Sequence, residues 1–106
     1  MMNNDKILGM IGLAMRAGKV VSGEFSVEKL IKSGKARLVI VATDASDNSK
    51  KLYKDKCTYY KVPVYLYSTK EKLGSALGKE LRSSIAIDDA GFSKAIGSLL
   101  NKTEVN

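Results

Sequence analysis

Leu38-Val39-Ile40-Val41-Ala42 constrains this chain more than any other stretch. The run is apolar at every position, rich in β-branched residues, and ends in the polar segment Thr43-Asp44-Ala45-Ser46-Asp47. A strand wetted on one face alternates apolar and polar residues. An unbroken run must be covered on both faces, which makes it a central strand with helices above and below.

The rest of the chain supplies those helices. The first runs to about Ala17, capped by Asn4 or Asp5, with Ile7, Leu8, Ile11, Ala14 and Met15 along one stripe and Gly18 ending it. Gly9 and Gly12 lower its helix propensity and are expected to permit close packing. A short strand then breaks at Ser22-Gly23 into a second helix, with Ser22 as the expected N-cap. Val27, Leu30 and Ile31 face inward there, and Glu28 and Lys32 stand at pairing distance on its outside. A third helix is expected over roughly Asp47 to Tyr60, with Leu52, Tyr53, Cys57 and Tyr60 inward and Lys50, Lys51, Lys54 and Lys61 outward. Pro63 lacks a ladder donor, so the strand from Val62 to Tyr67 begins at or near a sheet edge. Ser68-Thr69-Lys70-Glu71 reads as a capping box for a fourth helix packed through Leu73, Ala76 and Leu77. A basic loop with one apolar tip, Lys79 to Ser84, leads into the short buried strand Ile85-Ala86-Ile87. Asp88-Asp89 then caps a last helix that carries Phe92, Ala95, Ile96, Leu99 and Leu100 on one face, and a polar, frayed tail is expected from Asn101.

The order α-β-α-β-α-β-α-β-α predicts an α/β fold with one sheet between helix layers. The expected organisation is a single domain over residues 1–106, with its core at about 4–100. In such sheets, function gathers at strand-to-helix loops on one rim. The loops at Ser22-Gly23 and Asp44–Ser46 are such junctions, and the Lys79–Ser84 loop joins them only if the fold brings it round.

Composition narrows the chemistry. The 106 residues carry a net charge of +7, which favours a polyanionic partner. There is no histidine, which removes the usual general base and the commonest metal ligand. The one cysteine, Cys57, can form neither an internal disulfide nor a zinc site. On the apolar side of its helix it is expected as a small core residue, and a single unpaired thiol fits a reducing, cytoplasmic setting. The apolar run from Ile7 to Met15 is too short to span a bilayer and has no cleavage pattern after it, so it is read as a buried helix of an unprocessed chain. Gly18-Lys19 is not a phosphate-binding P-loop, because the required glycine and Ser/Thr spacing is absent. No catalytic residue, metal site or small-molecule cofactor is expected.

The stretch Gly18 to Lys29 is the best candidate binding element. A helix starting at Ser22-Gly23 presents unpaired N–H groups and a partial positive charge, flanked by Lys19 and Lys29. An anion fits that position, a phosphodiester backbone among others. A plain capped helix with solvated lysines fits the same residues.

Four segments in register resemble a known family. They are Gly18-Lys19-x-x-x-Gly23; Lys29 followed by Gly34-Lys35-Ala36-x-Leu38-Val39-Ile40; Tyr59 to Pro63 leading into a strand; and Leu73-Gly74-x-Ala76-x-Gly78-Lys79-x-x-Arg82-x-x-x-Ala86-Ile87. Together they resemble the ribosomal-protein family that binds kink-turn RNA, the L-seven-Ae and L-thirty-e group, and more narrowly its small bacterial ribosomal-protein-like members. The resemblance spans about Ile7 to Leu100. It implies an α/β/α sandwich of five helices around a mixed four-stranded sheet, and a non-catalytic RNA-binding role in or around the ribosome. In that family the N-terminus of the second helix enters the RNA beside tandem sheared G·A pairs, and the loop before the last strand covers an extruded base. The matching positions here are Gly23, Phe25, Ser26 and Lys29 at the helix start, Asp44 in the strand-end loop, and Lys79, Leu81 and Arg82 in the covering loop; Lys19, before the turn, is expected with Lys29 on phosphates. The family usually places polar or charged base-readers where Phe25 and Ser26 stand. Phe25 cannot hydrogen-bond a base, although it can stack on one. Backbone contact is therefore expected to persist with altered base reading. A protein-interaction module using the same rim, through Phe25 and Leu81, is the alternative.

Overall fold

The computed structural model describes residues 5–104. Nine elements follow one another: α1 (Lys6–Arg16), β1 (Val20–Ser22), α2 (Glu24–Lys32), β2 (Leu38–Val41), α3 (Asp47–Tyr60), β3 (Val64–Leu66), α4 (Lys70–Ala76), β4 (Ser84–Ile87) and α5 (Ala90–Glu104). This is the alternation expected from the sequence. The strands form one mixed sheet in the order β1-β4-β2-β3, with β4 antiparallel to both neighbours and β2 parallel to β3.

The apolar run is central, as its composition required: Leu38, Val39, Ile40 and Val41 are all buried. Strand periodicity puts Leu38 and Val41 on opposite faces. Leu38 meets α5 at Gly97. Val41 pairs with Ser84, whose hydroxyl donates to Tyr53 of α3 at 2.8 Å. The sheet therefore lies between two helix layers, with α2 packed on α3 on one side and α1 packed on α4 and α5 on the other. Ile11, Val27, Ile31, Leu73, Ile85, Ile87 and Ile96 are fully buried between them. β3 is an edge strand, as Pro63 implied.

Most of the local signals act as read. Asp5 caps α1 by accepting from the Leu8 N–H at 2.9 Å, while Asn4, the other candidate cap, lies outside the described residues. Ser46 caps α3, and Asp89 caps α5 by accepting from the Phe92 N–H. Cys57 is buried, and desolvation pushes its thiol up to about 11. Burial likewise raises the Tyr53 phenol to about 12, and Tyr67, which donates to Asp5 at 2.7 Å, is also raised to about 12 by burial and that bond. The helix α5 continues through Asn101, where the polar tail was expected, and Asn101 accepts from the Tyr65 hydroxyl.

Several expectations give way. Ser22 is not the N-cap of α2; it ends β1, and Gly23 occupies the cap position. The capping box does not form, because Thr69 rather than Ser68 caps α4 and Ser68 sits in a left-handed turn with φ 66°. Glu28 reaches across to Lys56 of α3, at 4.0 Å, rather than along its own helix to Lys32. Tyr60, the last residue of α3, is exposed rather than inward. Gly12 does allow close packing, against the Ala76 carbonyl of α4, but Gly9 faces open space.

Candidate nucleic-acid interface

The topology determines where the loops meet. β1, β2 and β3 point the same way, and β4 runs against them. The loops that leave the first three strands thus share a rim with the loop that enters β4. The backbone stitches them together. Gly23 N–H donates to Ser84 O at 3.1 Å, Ala42 N–H to Ser83 O at 2.9 Å, and Thr43 N–H to Ser68 O at 2.8 Å. The Lys79–Ser84 loop is brought round to the helix start.

Gly23 carries the turn from β1 into α2. Its φ of 92° with ψ of 149° is a conformation that only glycine adopts without strain. It gives α2 no side-chain cap. The N–H groups of Glu24, Phe25 and Ser26 have no helical acceptor one turn earlier and point outward from the rim. Glu24, in that first turn, partly offsets their positive field.

The covering loop is held from two sides. A side chain at Gly74 would overlap the Glu80 carbonyl, so the absence of one lets the loop lie directly on α4. Arg82 N–H donates to Lys70 O at 3.1 Å, and Lys70 N–H donates to Asp44 Oδ1 at 2.9 Å. Arg82 Nε also donates to Ser22 Oγ at 3.0 Å, and its Nη1 donates to Leu81 O at 2.8 Å. The guanidinium thus ties the loop to the last residue of β1, next to the glycine that starts α2.

Phe25 and Leu81 flank this junction. Phe25 is 78% exposed and Leu81 60% exposed, so neither ring nor isobutyl group serves the core. One turn further along α2, Lys29 lies with Phe25, Glu28 and Lys32 around a hollow of about 250 Å³. Ser26 and Lys79 are exposed.

The structure therefore brings together Gly23, Phe25, Ser26, Lys29, Leu81 and Arg82, with Lys79 on the same loop. Asp44 is at this rim too, but it accepts a backbone hydrogen bond and so braces α4. Lys19 is not at this rim. It precedes β1, and its carbonyl accepts from Asp88 N–H beyond the far end of β4. The three residues of β1 separate it from Gly23, four Cα steps in all, or roughly 13 Å at ~3.3 Å per residue. Ser22 was read as a cap, yet it is the acceptor that locates Arg82. Only a signal pairing residues 60 positions apart could have revealed that.

The arrangement suits a polyanion: free N–H groups, lysines and an arginine beside two exposed apolar side chains. Among the described residues, no group of three or more His, Cys, Asp or Glu side chains is placed to hold a metal ion, and no helix is long and apolar enough to cross a membrane.

Known proteins are similar to this chain in sequence and in shape. The RNA-binding protein YlxQ of Bacillus subtilis (strain 168) is 47% identical over 92 residues, covering 87% of this chain and 92% of its own. YlxQ of Enterococcus faecium is 42% identical over 98 residues, covering 92% of this chain and 94% of its own. The large ribosomal subunit protein eL30 of Candida albicans (strain SC5314 / ATCC MYA-2876) is 35% identical over 103 residues, 92% of this chain and 93% of its own. A solved protein of unknown function from Bacillus halodurans C superposes with a TM-score of 0.88 at 40% identity, over 91% of this chain and 97% of that one. The 15.5kD RNA binding protein of Giardia lamblia has the same fold, with a TM-score of 0.78 at 22% identity over 98% of this chain and 92% of that one. The family model for the ribosomal protein L7Ae/L30e/S12e/Gadd45 family matches residues 5–97, and the chain belongs to that family.

Proposed function

We propose that this protein is a non-catalytic RNA-binding protein of the cytoplasm, acting in or around the ribosome. It binds structured RNA of the kink-turn kind with the start of α2 and the loop before β4. The observation that carries this reading is the Arg82–Ser22 hydrogen bond, which holds the covering loop against the helix start so that both meet one ligand. The names of its relatives and its +7 charge support RNA as that ligand. First-turn N–H groups and Lys29 meet phosphates, while Leu81 and Arg82 cover an exposed base. Phe25 stands where a base-reading side chain would be, and its exposed ring stacks on a base rather than hydrogen-bonding to it. Specificity then rests on RNA shape more than on base edges.

The test is a fluorescence titration against a kink-turn RNA and a control duplex of equal length at two salt concentrations. Preferential binding to the kink-turn RNA, weakening steeply with salt, is expected. No binding to either RNA at low salt refutes RNA recognition. Equal binding to both removes the kink-turn preference.

A second reading is favoured by the exposure of Phe25 and Leu81 together: the same rim docks a protein of the translation machinery. Phe25→Asp separates the two. Loss of RNA affinity supports the first, and intact RNA affinity with loss of a translation factor from pull-downs supports the second.

A further inference from the structure

We propose a second nucleic-acid contact on the outer face of the α2/α3 layer: a single-stranded segment of the bound RNA runs from Phe25 along the two helices and stacks on Tyr59. The inference rests on the RNA-binding reading above and extends it to a surface outside the rim.

Phe25 and Tyr59 are 78% and 77% exposed, above every other large apolar side chain among the described residues. They stand on neighbouring helices. β1 and β2 are both antiparallel to β4, and α2 and α3 each return from the same rim, so the two helices run in the same direction side by side. The Glu28–Lys56 ion pair at 4.0 Å fixes their relative position. Phe25 lies three residues before Glu28 and Tyr59 three residues after Lys56. At ~1.5 Å per residue their backbone positions are offset by about 9 Å along the helix axes, and packed helices lie about 8–10 Å apart. The two offsets combine to about 12–13 Å, which at ~3.4 Å per stacked nucleotide is a span of about three to four nucleotides.

The surface between the rings has the required charge. Lys29 and Lys32 stand with Phe25 around one hollow on α2, Lys56 stands with Tyr59 around another on α3, and the Glu28–Lys56 pair joins the two. Its carboxylates already have lysine partners, Glu28 with Lys56 and Asp55 with Lys51 at 3.1 Å. Tyr59 is held edge-on against Tyr60, with ring centroids 4.8 Å apart, and borders a hollow of about 520 Å³ with Leu52 and Lys56. A ring already fixed in place loses little freedom when a base stacks on it. Alternating aromatic and basic side chains along a groove suit single-stranded polynucleotide, whose bases stack and whose phosphates meet the lysines. The surface is also continuous with the rim through Phe25.

The experiment compares a blunt kink-turn RNA with the same RNA carrying three single-stranded adenosines at one end or the other, by fluorescence anisotropy at fixed salt. One extension is expected to tighten binding by about 5- to 150-fold, the range for stacking one base on an aromatic ring. Tyr59→Ala should abolish that gain and leave blunt-RNA affinity unchanged, whereas Tyr59→Phe should keep it. No gain at either end overturns the proposal, as does a gain that survives Tyr59→Ala. Loss of a protein partner in Tyr59→Ala with both RNA affinities intact assigns the surface to protein and also overturns it. Failure to bind even the blunt RNA would instead refute the parent reading.

Discussion

Arg82 couples the loop before β4 to the start of α2 through Ser22, and a double-mutant cycle measures that coupling. Ser22→Ala removes the acceptor of the 3.0 Å bond from Arg82 Nε. A hydrogen bond to a charged group is worth roughly 1.5–3 kcal/mol when buried. This one is only part-buried, and the freed guanidinium can reach water, so the loss should be about 1 kcal/mol. In a domain of this size that lowers Tm by about 4 to 8 °C. Arg82→Lys should cost a similar amount, since a lysine ammonium cannot present a donor at the position of Nε. The double variant should be no worse than the poorer single by more than a few tenths of a kcal/mol, which amounts to a coupling of about 0.5–1.5 kcal/mol. Urea unfolding of the four proteins gives the cycle. RNA titration gives its functional counterpart: Ser22→Ala should weaken kink-turn binding about fivefold, because the loop must then be ordered on binding. Effects that add within about 0.3 kcal/mol would refute the coupling. Unchanged RNA affinity in Ser22→Ala would show that the tie has no part in recognition.

Other predictions test the surrounding geometry. Gly23→Ala meets no neighbouring atom within 4 Å, so its cost is purely conformational, about 1–3 kcal/mol by urea denaturation; a neutral result would contradict the φ of 92°. Lys29→Ala should lower the slope of log affinity against log salt by about 0.7–0.9, whereas Lys19→Ala, at the other end of β1, should leave it unchanged; equal slopes in both variants would mean that the rim is wrongly placed. Stability should fall on the alkaline side. Cys57 and Tyr53 have native pKa values raised to about 11 and about 12, so the folded state holds protons that the unfolded state releases. The contribution is complete below about pH 9 and is lost between pH 9 and 11 for Cys57 and between pH 10 and 12 for Tyr53, at about 2 to 3 kcal/mol each. Chemical denaturation at pH 7, 9 and 10.5 checks this, and Cys57→Ala should delay the onset.

The fold could be read closely because its main determinants are local. Five apolar residues in a row admit one environment, and the caps at Asp5, Ser46 and Asp89 act within a single helical turn. The misreadings arise where a local rule met a distant partner. Ser22 has the chemistry of an N-cap, but strand pairing with Ile85 extends β1 through it and passes the cap position to Gly23. Glu28 has a lysine four residues on, but a neighbouring helix supplies another that compensates a more enclosed carboxylate. Ser68 could open a capping box, yet its carbonyl is required by both the N–H and the hydroxyl of Thr43, and the turn that presents it displaces the cap to Thr69.

The site was legible as a set of residues and not as a place. Nothing in spacing tells that the loop before the last strand reaches the turn after the first, since that depends on β4 entering the sheet between β1 and β2 against their direction. Had β4 run parallel to them, Leu81 and Arg82 would lie at the end where Lys19 is, and Gly23 would have only the strand-end loops beside it. The antiparallel insertion converts a residue list into one surface. It also explains why Lys19 drops out: a strand joins it to Gly23, and a strand separates what it joins by its own length. The same reasoning applies to Phe25. On the first turn of α2 a ring can turn under the helix or out past the rim, and here it is directed outward while Val27 and Ile31 supply the buried contacts. An aromatic ring that contributes nothing to the core, placed beside the first-turn N–H groups and lysines, belongs to the rim's outward surface and not to the packing beneath it.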